Sequence, residues 1–122
     1  MLLVDAANVV GSRPTGWWRD RAGAARTFVE QLRAAARDGR IGPPVTVVLE
    51  GKARDGVGAG VSDGVTVLHA AGSGDDALIN VVEGAAPDEA VTLVTADREL
   101  RRRAEALGAT VVGPRWLWGR LD

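Results

Sequence analysis

Short, unbroken apolar runs recur along the chain and end on acids. LLVD closes on Asp5 with Asn8 just beyond it, VTVVLE on Glu50 and VTLVTAD on Asp97; GSGDDALIN brings Asp75 and Asp76 after the run Val65 to His69. Strands covered on both faces are apolar at every position, whereas strands of a half-exposed sheet alternate. A mainly parallel sheet with helices on both sides is therefore expected. In such a sheet the carboxyl ends of the strands lie along one edge, so acids that close separate strands meet at a single mouth.

The stretches between the runs support that layout. Trp17 to Asp38 carries Phe28, Leu32 and Ala35 or Ala36 at helical spacing, and Gly39 stops it. Asp75 to Ala85 places Leu78, Ile79 and Val82 on one face, and Asp97 to Leu107 places Leu100, Ala104 and Leu107 inside, with Gly108 as a C-terminal cap. Adding the run Ala109 to Val112 and a last helical turn from Pro114 to Leu121 gives the order β-α-β-β-α-β-α-β-α. This is an α/β three-layer sandwich with about five strands. Residues 51–64, GKARDGVGAGVSDG, are rich in glycine and lack an apolar period, which predicts a flexible loop beside the mouth. At 122 residues the chain is expected to be one domain, 1–122.

Bringing acids together costs free energy. Two carboxylates ~5 Å apart repel by about 3 kcal/mol even at an effective dielectric near 20. Either some of them hold protons or a divalent cation neutralises them, and for three or four acids at neutral pH the cation is the commoner solution.

Composition closes off several other chemistries. There is no cysteine, which excludes thiolate zinc sites, disulfides and cysteine nucleophiles. MLLV is too short for a signal segment and no run approaches the ~18 apolar residues of a membrane span, so no membrane association and a cytoplasmic location are expected. The net charge of −1 argues against a dedicated nucleic-acid binder, yet the basic residues are unevenly spread. Arg13, Arg19, Arg21 and Arg26 follow the first strand and Arg98, Arg101, Arg102 and Arg103 follow Asp97. Arginine's planar fork suits phosphate, so an arginine rim around an acidic pocket fits a polyanionic substrate; the alternative for 101–103 is a solvated helix face.

Several pieces together carry a family resemblance. VDAANVVG, an arginine-containing loop and helix, VVLEG, GSGDDALI and TADREL resemble the NYN branch of the PIN-like nuclease superfamily, near the YacP-type ribonucleases. The similarity runs from Leu2 to about Gly113. It implies a Rossmann-like PIN fold and hydrolysis of RNA phosphodiesters with Mg2+ or Mn2+. On matching positions Asp5, Asn8, Asp76 and Asp97 are the implied catalytic residues, with Asp5, Asp76, Asp97 and Glu50 as metal ligands. Asn80 departs from the pattern, which tends to have a glutamate one turn after the central acid.

The chemistry agrees with the resemblance. A phosphodiester is already anionic, and carboxylate-held magnesium or manganese both cancels charge and lowers the pKa of a bound water. Asn8 orients a water or phosphate without adding repulsion, and Arg98, Arg13 and Arg19 are the expected phosphate contacts. Trp17 and Trp18, after Gly16, either stack on an unpaired base or cover the core. Trp116 and Trp118 pack the C-terminal segment onto the sheet or into a second copy in a homodimer, and His69 is a packed or edge residue.

Each acid also has an ordinary structural role, Asp97 and Asp75 as helix caps or first-turn charges above all. Ala7 stands where a haloacid-dehalogenase-type phosphatase needs its second acid, the single Lys52 is misplaced for a response-regulator receiver, and no phosphate-loop or dinucleotide motif is present. Two alternatives stay open beside a ribonuclease. One is a PIN-like module that binds RNA or a ribosome-associated partner without cleaving; the other is a metal-dependent nucleotide pyrophosphohydrolase.

Overall fold

A computed structural model describes residues 1–122 throughout. The chain runs β1 (Leu2–Asp5), α1 (Ala6–Gly11), α2 (Arg21–Arg37), β2 (Val45–Leu49), β3 (Gly60–Ser62), β4 (Val65–His69), α3 (Gly74–Gly84), β5 (Thr92–Val94), α4 (Arg98–Ala106), β6 (Thr110–Val112) and α5 (Pro114–Leu121). Short 3-10 turns lie at Trp17–Arg19 and Gly51–Gly56. One sheet takes the order β3-β4-β2-β1-β5-β6, with every neighbouring pair parallel except β3 with β4.

Strand parity divides the core in two. Leu2 and Val4 pack with Val45, Val47, Phe28, Val29, Leu32 and Leu117, on the side of α2 and α5. Leu3, Val48 and Leu93 face the opposite way, onto Leu78, Ile79, Val82 and Leu100 of α3 and α4. The three layers expected from the apolar runs are those observed. No helix is long and apolar enough to cross a membrane.

The path of the chain places the crevice. From β1 it steps outward through β2 and β4, then crosses to the other side of β1 for β5 and β6, so strand order reverses between β1 and β5. Sheets of this kind open a cleft at the carboxyl ends of the strands flanking that reversal.

Three expectations are corrected. The sheet has six strands, because residues 60–62 form an antiparallel edge strand on β4. Residues 51–64 are accordingly no flexible loop: Arg54 donates to the carbonyls of Gly51 and Ala70 (3.0 and 3.1 Å), Arg26 to Gly56 (3.3 Å), and His69 Nε2 meets the Val57 carbonyl at 2.7 Å. Gly56 lies so close to α2 that a Cβ there would stand 2.0 Å from the Ala22 carbonyl oxygen. Third, a helix begins directly at Ala6, and the long helix starts at Arg21, capped by Asp20 through Gly23 N–H at 2.9 Å.

Candidate active site

Asp5 occupies the reversal point. It ends β1, caps α1 by accepting from Asn8 N–H at 3.3 Å, and is buried. By alternation its side chain takes the face of Leu3, the side of α3 and α4. Thr95, two residues past Leu93 and of the same parity, donates its hydroxyl to Asp5 Oδ2 at 2.9 Å and accepts from Asp97 N–H at 3.1 Å. Asn8 Oδ1 accepts from Ala96 N–H at 2.8 Å. Two side-chain bonds thus join the end of β1 to the turn after β5, and the Asn8 NH2, without a protein partner, is left to donate elsewhere.

Burial governs the charge of Asp5. Desolvation raises its pKa from 3.8 to about 6; the Thr95 and Asn8 hydrogen bonds pull it back, and the fields of Asp75 and Glu50 push it further up. Asp75 is itself raised, first by desolvation, then by Asp97 and Glu50, with Arg103 opposing. Across the cleft, Glu50 and Asp75 therefore act on Asp5, and Asp97 and Glu50 act on Asp75. Asp97 caps α4 through Leu100 N–H at 2.9 Å, and Glu50 accepts from Gly74 N–H at 2.9 Å, which ties the end of β2 to the start of α3.

The two acids of the central helix, Asp75 and the expected Asp76, point in different directions. Asp75 shares the helical stripe of Leu78, Ile79 and Val82 and turns toward the cleft, whereas Asp76 is exposed and pairs with Arg103 at 3.2 Å. Asn80, one turn beyond Asp76, lies on the same exposed stripe, so an amide there takes no charge from the cluster. Asp75 is the residue that sequence reasoning set aside. Its phase relative to Leu78 and Ile79 was the available signal.

The basic and aromatic candidates separate as well. Arg13 is already paired: its guanidinium holds the Asp122 carboxylate, with one bond at 3.0 Å, and lies 3.9 Å over Trp118. Arg101 and Arg102 pair with Glu105 and Glu99 of their own helix, the solvated-face alternative. Arg98 is exposed beside Asp97 and makes no side-chain bond; Arg19 is exposed with its guanidinium 5.8 Å from the Trp18 ring. Trp17 is half-buried on the rim, and Trp118 packs 5.6 Å from Phe28, against the core.

The donor set suits a hard divalent cation, though loosely. Asp97 Oδ2, Glu50 Oε1 and both Asp75 oxygens accept no hydrogen bond from the protein, and oxygen donors are what magnesium and manganese take. No three acidic side chains are gathered tightly enough to enclose an ion by themselves. An ion there would keep several waters, as magnesium commonly does.

Solved structures share this fold. Rae1 (YacP) from Bacillus subtilis superposes with a TM-score of 0.72 at 18% identity, over 99% of this chain and 72% of that one. The chain has the PIN-like fold of Rae1. The W164L mutant of Rae1 gives a TM-score of 0.70, again at 18% identity, over 98% of this chain and 73% of the Rae1 chain. No protein-family model matches the chain, and no curated protein matches it by sequence. What is shared with Rae1 is thus the fold, at a level of identity where individual residues have to be argued from their own geometry.

Proposed function

We propose that this protein is a cytoplasmic, divalent-metal-dependent ribonuclease that hydrolyses RNA phosphodiester bonds at the β1/β5 crevice. The observation that carries the reading is Asp5, buried at the strand reversal within the fields of Glu50 and Asp75, with Asp97 acting in turn on Asp75. Folding gains nothing from an ionised acid buried among acids. The Rae1-like fold and the resemblance to YacP-type ribonucleases support the same reading.

Magnesium or manganese, when bound, would supply charge cancellation at the phosphoryl oxygens and a more acidic water. Asp5, Asp75 and Asp97 would hold it, with Glu50 at the margin. Thr95 keeps Asp5 oriented, and above about pH 6 that carboxylate is ionised and able to ligate. The Asn8 NH2 donates to a water or phosphate oxygen, and Arg98 lies beside Asp97 as a phosphate contact. RNA, free or on the ribosome, is the proposed partner.

One observation favours a second reading. Since no three acids enclose an ion unaided, a PIN-like module that binds RNA without cutting it has to be tested against the enzyme. Purified protein incubated with single-stranded RNA, single-stranded DNA and a nucleoside triphosphate panel, in manganese or in EDTA, distinguishes them. RNA cleavage only with manganese, lost in Asp5→Asn and Asp97→Asn while binding persists, is expected. Turnover of free triphosphate alone would transfer the assignment to a pyrophosphohydrolase, and binding unchanged by either substitution with no cleavage would leave the module.

A further inference from the structure

Behind the acid cluster lies a hollow of about 380 Å³, on the α1/α2 side of the sheet edge. Its walls are small: Ala7 on α1, Ala24 on α2 and Gly51 after β2 leave room for a flat group. Trp17 forms one side, steadied against α1, where a Cβ on Gly11 would touch its ring at 3.5 Å. The Arg21 guanidinium stands 5.6 Å over that ring, and the floor includes Glu50. Glu50 commits one oxygen, Oε2, to Gly74 N–H, so Oε1 faces no protein donor.

Glu50 is the one acid that belongs to both the cluster and the hollow. The residues immediately after Asp5, Ala6 and Ala7, line the hollow too. A nucleic-acid strand laid across the edge of β1 therefore has a phosphate at Asp5 and an adjacent base within reach of this slot. An indole face suits any base, an unsatisfied carboxylate oxygen suits an exocyclic amine, and a guanidinium suits the neighbouring phosphate or a ring acceptor. The geometry points to this hollow as the seat of one unpaired, amino-bearing nucleobase (adenine, cytosine or guanine rather than uracil) next to the phosphate that is cut at the β1/β5 crevice. The inference rests on the ribonuclease reading for its substrate, and it adds a specificity subsite to it.

The test uses a short single-stranded RNA whose cleavage position in manganese has been mapped. Each nucleotide flanking the cut is made abasic in turn, and the responsive position is then varied through the four bases. Removal of one particular flanking base is expected to lower kcat/KM roughly ten- to hundredfold, the size of a lost base–aromatic stack. Uracil should be the poorest of the four bases there. Ala7→Phe, at an exposed position that fills the mouth, and Trp17→Ala should both abolish the difference between intact and abasic RNA, with thermal melting showing that each variant is folded. Fluorescence anisotropy of the same RNAs in EDTA reads the base preference without cleavage. If RNA is cut but every flanking position tolerates an abasic site, or both folded variants keep the discrimination, the subsite is wrong and the ribonuclease reading survives. If nothing is cut yet anisotropy shows the base dependence and its loss in the variants, the subsite stands and the nuclease reading fails.

Discussion

Thr95 and Asp5 meet across the sheet at 2.9 Å, the threonine hydroxyl donating to a buried carboxylate while the same oxygen accepts from Asp97 N–H. One hydroxyl thereby orients the Asp5 carboxylate and anchors the backbone at Asp97. Thr95→Val keeps the shape and removes the bond, leaving Asp5 Oδ2 buried without a donor, a loss of about 1–3 kcal/mol. Because that bond holds the Asp5 pKa down, it should rise above about 6 in the variant. Urea melts should show the destabilisation, and the acid limb of the pH–activity profile should move to higher pH. An unmoved limb would mean that Thr95 does not govern Asp5.

The raised pKa of Asp5 makes a signed prediction for stability. Between its ordinary value of 3.8 and about 6 in the folded protein, the native state keeps a proton that the unfolded chain has lost. Unfolding free energy therefore falls as pH rises through this window, by on the order of 3 kcal/mol in all. Asp5→Asn lacks this slope. The stability difference between variant and parent should grow from about pH 4 to about pH 7 and then level off. A difference independent of pH would show that Asp5 titrates as an ordinary carboxylate.

Divalent cations should reverse that penalty. Manganese binds the ionised acids and not the protonated ones, so it should raise the melting temperature at about pH 7.5 and do little at about pH 5. At a hundredfold excess over Kd the gain is about 2.7 kcal/mol. Asp5→Asn and Asp97→Asn should each remove most of it. An equal shift at both pH values, or one that survives both substitutions, would place the ion elsewhere.

Much of this was legible beforehand, because the information was periodic. Continuous apolar runs announced the buried parallel sheet, and acids closing those runs announced the shared edge. Structure without a burial signature is not legible in this way. Every residue of β3 is exposed, so its pattern resembled a loop. The turn that builds it was nonetheless written as Asp63-Gly64, the pair suited to a two-residue hairpin; both take positive φ, 54° and 76°, and Ser62 pairs with Val65. The pairing of Arg13 with Asp122, 109 positions apart, left no local trace at all.

The choice between the adjacent acids of α3 is decided by helical phase, about 100° per residue. Asp75 faces Asp97 and Glu50, and Asp76 faces Arg103. Asp75→Asn should reduce cleavage or manganese affinity by ~10–100-fold, the scale on which groups supporting a metal site act. Asp76→Asn loses only an exposed ion pair, under about 1 kcal/mol, and should retain activity. Steady-state kinetics of the two variants side by side will decide; the reverse ranking would restore Asp76 as the ligand.

Gly74 separates the stability of α3 from the position of Glu50. A Cβ at this residue would stand 2.9 Å from both Cδ and Oε1 of Glu50, closer than packed atoms come. What must yield is the end of a flexible side chain rather than backbone, so folding is spared. Ala also restricts the unfolded chain more than Gly does, by roughly 0.4–1 kcal/mol, which offsets part of the lost Gly74 N–H bond to Glu50. Gly74→Ala should therefore melt within a few degrees of the parent, since about 1 kcal/mol moves a domain of this size by only ~4 °C. Glu50, displaced, no longer sits between the acid cluster and the hollow. The affinity for manganese and the preference for an amino-bearing base should then weaken together, measured by thermal shift and by anisotropy on folded protein. If both are untouched in a variant whose melting is also unchanged, Glu50 serves neither place and its bond to Gly74 is only a tie between β2 and α3.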